Sequence, residues 1–153
     1  GLTYLRDSIV PLSAGCHSGT PGYLFFPLTV RNVAAVDGAC FATSRRAFEE
    51  TGGFDEHYKS AYSSVDYSFD VAKRGKRVVY TPEACMQHAA TSRFAHGETW
   101  RYLRVLDKAR LLTKWAEVFS KDDPYLNPNF SRVPVRTALY AVEHEEKLSF
   151  PVR

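Results

Sequence analysis

The paired glycines Gly52-Gly53 constrain this chain more than any other feature, because they stop one helix signal and reverse the chain before a second begins. Upstream, Thr43 or Ser44 can cap a short helix whose Ala47 and Phe48 point inward. Downstream, Phe54 is an apolar anchor, Asp55-Glu56-His57 form a polar loop, and Ser63-Ser64 open the second helix, with Gly75 just past its end. Val65, Phe69, Val71 and Ala72 give that helix an imperfect apolar face. Before the first helix, Val36 to Ala42 is expected as a strand in which Gly38 permits a bend or bulge. After the second, Arg77 to Tyr80 is a short strand that Thr81-Pro82 breaks. The stretch from Ala35 to Arg93 is therefore an α/β unit with a mixed sheet, and the rest of the chain is arranged about it.

At 153 residues the chain fits one domain with a real core, and 44% hydrophobic residues with ten Phe and nine Tyr exclude a disordered polymer. A net charge of +3, with both signs interspersed and no basic stripe between aromatics, gives no reason to expect nucleic acid as a partner. Three cysteines, Cys16, Cys40 and Cys85, without a C-x-x-C pair read as reduced, buried small residues rather than a disulfide frame or zinc site. With no secretory leader read and no apolar run of membrane-spanning length, the expected location is cytoplasmic.

The flanks are less regular. Residues 1–31 form an N-terminal segment of no clear period, a loop rich in Gly, Ser, Thr and Pro from Ser13 to Tyr23, and strand-like residues from Leu24 to Val30. Residues 32–93 are the central unit and 94–131 a long helix with its DPYLNPN extension. In that helix, Trp100, Leu103, Leu106, Leu111, Trp115, Val118 and Phe119 make a broad apolar stripe from about Gly97 to Phe119, and Arg101, Arg104, Lys108 and Lys114 occupy much of the rest. The helix packs on the domain, or its basic residues meet an anionic membrane surface. Residues 132–153 are a tail.

The runs GACFATSRRAFEETGGFDE and VDYSFDVAKRGKRVVYTPEACMQHAATSR, followed by Asp123-Pro124-Tyr125-Leu126-Asn127-Pro128-Asn129-Phe130, resemble the acceptor-side half of family 2 glycosyltransferases of the GT-A fold. The closest likeness is to rhamnosyltransferase-like enzymes that build bacterial surface polysaccharides. It spans roughly Asn32 to Ser131 and rests on the order and spacing of the motifs together.

The resemblance implies that Gly38-Ala39 lie beside the sugar donor and that the loop through Asp55-Glu56 leads to the acceptor. It implies an acidic pair at the mouth of the second helix, whose Asp is the general base. Here Ser63-Ser64 stand there, and a hydroxyl alone cannot take a proton from an acceptor alcohol near neutral pH. Asp66 is then either a structural carboxylate or the replacement base. The family commonly has Arg where this chain has Asp70, so two like charges lie one turn apart, and either water or a cation from elsewhere must meet them. His88 matches a family histidine that can complete a metal site, or is a packed histidine. Arg93 is a phosphate-facing cation or a loop end. No Asp-x-Asp is present, so manganese or magnesium is expected only if a complete donor site is assembled.

The nucleotide-binding half of such a fold is not found before Leu24. The chain is expected to be a truncated or degenerate relative, inactive alone, with a nucleotide sugar or glycan acceptor as possible ligand. It is expected to self-associate over the sheet edge left uncovered. The alternatives are a non-catalytic module binding a glycan or a protein, for which Tyr58, Tyr62 and Tyr67 either suit sugar stacking or are core or surface filler, and a structural assembly protein on the same scaffold.

Overall fold

The computed structural model describes residues 1–13, 19–86 and 98–129. Within these, helices mix with small sheets, consistent with α/β, but the strands form two separate antiparallel pairs rather than the mixed sheet expected.

The N-terminal segment, unreadable from its period, is a hairpin. Strand β1 (Leu2–Leu5) pairs with β2 (Ser8–Pro11) in the register Leu2 to Pro11 and Leu5 to Ser8. All four residues of β1 are buried, so the in-out alternation that would have announced a strand is absent. Its other edge meets Ala35, with reciprocal amide bonds between Leu2 and Ala35 of 2.8 and 3.3 Å. Strand β3 (Arg31–Asn32) pairs with β4 (Val79–Tyr80), and Val33 N continues that ladder to Val78 O at 3.0 Å. The run from Arg31 to Ala35 thus joins both hairpins.

The expected burial of the cysteines is corrected, since Cys40 and Cys85 are exposed and Cys16 lies outside the described residues, and so are two expected strands. Residues 36–42 leave the ladder after Ala35, because the Asp37 carboxylate accepts from Ala39 N at 2.8 Å and turns the chain at Gly38. Tyr23–Leu28 is a 3-10 turn containing Pro27, with Leu24 and Phe25 at φ of 46° and 57°. Apolar content suggested a strand there, but Pro27 has no amide for a ladder and its neighbours are left-handed.

Helix α1 (Arg45–Thr51) begins on Ser44, whose Oγ accepts from Ala47 N at 3.1 Å, and ends on Gly52 at φ 83°. Helix α2 (Ser63–Lys73) lies at the centre, with every residue from Ser64 to Phe69 buried. A helix covered on several sides has no clean polar face, which explains its imperfect periodicity. The single helix expected from about Gly97 to Phe119 is corrected: it breaks at Trp115 (φ -113°, ψ 28°) into α3 (Glu98–Lys114) and α4 (Ala116–Phe119), and the break lets Lys114 and Trp115 both reach Asp66 on α2.

The core joins Leu2, Tyr4, Ala34, Ala35, Tyr58, Val65, Phe69, Leu111 and Trp115. Phe69 stands edge-on to Tyr4 and Trp115, at 5.8 and 5.5 Å between ring centres. Phe41, Phe48, Phe54 and Tyr67 form a second aromatic cluster beside α1. The DPYLNPN segment straps the hairpin: Thr3 Oγ1 donates to the buried Asp123 at 2.5 Å, Tyr4 Oη to Asp122 O at 3.1 Å, and Arg31 to Tyr125 O at 2.8 Å. Burial and the Asp123 charge push the Tyr4 phenol up to about 12.

Candidate functional site

Helix α2 presents Ser64 and Asp66 to different surroundings. On one side Ser64 faces the Gly38 turn, so closely that a β-carbon placed at position 38 would lie 3.4 Å from Ser64 Oγ. Ser68 ties the same two elements, accepting from Val36 N at 3.3 Å and donating to Ser64 O at 2.7 Å. The turn and α2 wall a cavity of about 540 Å³, lined among others by Asp37, Cys40, Thr43, Tyr67, Arg77 and Tyr80. Tyr67 Oη is within 2.7 Å of Thr43 Oγ1 at its edge. Asp37 is the one carboxylate on this wall among the described residues. Sequence reading named its position but gave it no role; its signal was adjacency to the glycine that lets the chain approach α2.

On the other side Asp66 is 2% exposed and its oxygens are taken. Trp115 Nε1 donates to it at 2.7 Å, Lys114 Nζ lies 2.8 Å away, and Tyr58 Oη donates at 3.2 Å. Lys114 also lies 3.7 Å from Asp70 and 3.7 Å from Asp55. Of the water or cation expected between Asp66 and Asp70, the structure supplies a cation, from the last turn of α3. Burial lowers the Lys114 pKa, but Asp66, then Asp70 and Asp55, outweigh it and hold the ammonium above its ordinary value. Burial and the Asp66 charge push the Tyr58 phenol well above its ordinary value.

The loop leading to Ser64 has a further anchor. Asp107, buried on α3, accepts from the amides of Lys59, Ser60 and Ala61 at 2.7 to 3.2 Å and from Ser60 Oγ at 2.9 Å. Burial pushes its carboxyl up, but the three amides and the hydroxyl outweigh that and hold it below the usual range. Just beyond them Tyr62 enters α2 at φ 70°, a left-handed conformation costly for a tyrosine and held by this clamp. Asp107 was not singled out in the sequence. Its signal was an acid midway between Leu103 and Leu111 in the apolar stripe.

Of the other sequence-named residues, Ala39 is exposed beside Gly38, and Glu56 is exposed with its carbonyl accepting from Lys59 Nζ at 2.8 Å. Asp55 accepts from His57 N at 3.0 Å and sits 2.7 Å from His57 Nδ1, which holds its carboxyl below the usual range. His88 and Arg93 lie outside the described residues. Among the described residues no group of three His, Cys, Asp or Glu is arranged to hold a metal ion.

The chain is similar to O-antigen biosynthesis protein RfbC of Myxococcus xanthus, 30% identical over 105 residues, covering 66% of this chain and 8% of that protein. Its distant relatives are glycosyltransferase-related. N-acetylglucosaminyl-diphospho-decaprenol L-rhamnosyltransferase of Mycobacterium tuberculosis is 38% identical over 58 residues, 38% of this chain and 19% of that protein. An uncharacterized protein, y4gI, of Sinorhizobium fredii is 30% identical over 126 residues, 78% of this chain and 13% of that protein. The chain thus spans less than a fifth of the length of these relatives. No family model and no solved structure matches it.

Proposed function

We propose that this chain is the acceptor-side part of a GT-A-type inverting sugar transferase, passing a sugar from a nucleotide donor to a glycan hydroxyl only when joined to a nucleotide-binding half. The carrying observation is the cavity walled by the Gly38 turn and by Tyr67, Ser68 and Val71 of α2, one turn from Ser64, which stands at the place the resemblance gives to the base. The names of the distant relatives, an O-antigen biosynthesis protein and a rhamnosyltransferase acting on a lipid-linked sugar, support the substrate class.

Within that cavity Asp37 is the carboxylate available to accept the acceptor's proton, a role that contributes about 10²–10⁴-fold where geometry allows. Asp66 does not compete, because taking a proton would cost it the contacts to Lys114, Trp115 and Tyr58. Its part is to hold α2 against α3. Thr43 and Tyr67 offer hydroxyls for orienting a sugar.

The test is sugar transfer from dTDP- and UDP-sugars by the chain alone and by the chain joined to a nucleotide-binding half. Transfer is expected only from the joined protein, falling at least about a hundredfold in Asp37→Asn. Turnover by the chain alone overturns the requirement for a partner half, and an unchanged rate in Asp37→Asn removes it as base. A non-catalytic glycan-binding module is the second reading, favoured by the hydroxyl at Ser64; it predicts glycan binding without transfer in either protein.

A further inference from the structure

Helix α3 carries two apolar stripes, and among the described residues only one is packed into the fold. The inner stripe buries Leu111 and, just past the helix end, Trp115, with Asp107 clamping the 59–61 loop between them. The outer stripe, on the opposite face by the 3.6-residue period, consists of Tyr102, Val105, Leu106, Ala109 and Leu112. Tyr102 is 64%, Val105 65% and Leu106 46% exposed. Sequence periodicity had assigned Leu106 to the packed stripe; the helix turns it outward.

Cations border this outer stripe on both sides. Arg101 and Arg110 are exposed at its two margins, and Arg104, also exposed, lies over the Trp100 ring at 5.4 Å. Lys108 reaches Asp7 at 3.6 Å, and Lys114 is committed to Asp66. Glu98, in the first turn, is the one acid on the outer side of α3, since Asp107 points inward.

We propose that this face of α3 lays the chain on an anionic lipid surface. A convex stripe about 16 Å long, of side chains no deeper than Tyr, Val and Leu, fits an interface that needs no matching groove. Flanking arginines complement anionic headgroups while Tyr102 sits at their level. A second copy of the same face would bring arginines against arginines, which disfavours self-pairing there. This inference stands on α3 alone and does not depend on the sugar-transfer reading.

The test is co-sedimentation of the 153-residue chain with phosphatidylcholine vesicles, with and without about one-third phosphatidylglycerol, at about 0.1 M salt. Partitioning is expected to be about tenfold higher on the anionic vesicles and to fall with added salt. Arg101→Glu/Arg110→Glu should lower it about tenfold, as should Tyr102→Ser/Val105→Ser/Leu106→Ser, with circular dichroism unchanged because all these side chains point outward. Equal partition on neutral and anionic vesicles, binding untouched by both variants, or no binding to either vesicle overturns the proposal. So does a dimer in solution that the Ser variant converts to monomer, since the stripe would then be covered by a second copy.

Discussion

The two sides of α2 solve opposite problems with neighbouring residues. Toward α3, Asp66 is a buried charge surrounded by an ammonium, an indole N–H and a phenol, so its cost of desolvation is offset at every lone-pair site that these donors reach. Toward the Gly38 turn, Ser64 is a neutral hydroxyl buried against the backbone, and Tyr67, Ser68 and Val71 beyond it wall a cavity of about 540 Å³. Two residues along a helix are enough to separate a locked carboxylate from an open wall. The difference teaches that the nearest acid in sequence to an expected base is not its replacement when its face points at a packed neighbour.

The largest effect should come from breaking the locked side. Asp66→Ala leaves Lys114 among fewer anions and the Trp115 N–H without its acceptor, and should cost about 3 kcal/mol, the low end for a broken buried pair because Lys114 is partly exposed. Urea unfolding measures it; a loss under about 1 kcal/mol would show that Asp66 is not holding α2 to α3. Asp107→Ala should cost about 2 kcal/mol by leaving three amides without their acceptor. Hydrogen exchange at residues 59–61 should rise with it, and unchanged protection there would refute the clamp.

Alkaline titration sharpens the same contrast. Tyr58 and Lys114 both keep their protons longer in the folded chain, so the unfolded chain releases them first, near about pH 10. The stability they contribute is complete below that and is lost as pH rises through the raised folded values. Denaturant midpoints flat from pH 8 to about 11 would contradict this. The smallest effect belongs to the side toward the turn: Ser64→Ala should change stability by no more than about 0.5 kcal/mol, since alanine suits the helix and only a hydroxyl against the Gly38 turn is removed. In a joined, active protein Ser64→Asp should raise transfer, and a lowered rate would mean the wall is needed as it stands.

Much of the local layout was legible. Ser44 caps α1, Gly52 closes it left-handed, and Ser63 opens α2, because caps and positive φ depend on residues a few positions apart. The N-terminal hairpin was not legible, since burial of all of β1 erases alternation. The strand expected at 36–42 failed because a carboxylate two residues before an amide competed with the ladder.

The sequence by itself determined where α1 and α2 start and stop, and that a carboxylate pair on α2 had to meet either water or a cation. Only the tertiary structure decided that the cation is Lys114, 48 residues along, that Asp107 grips the loop before Ser64, and that Asp37 rather than Asp66 faces the cavity. The physical reason is range: a cap is satisfied within one turn, whereas a buried charge takes whichever donor the packing of a distant helix delivers.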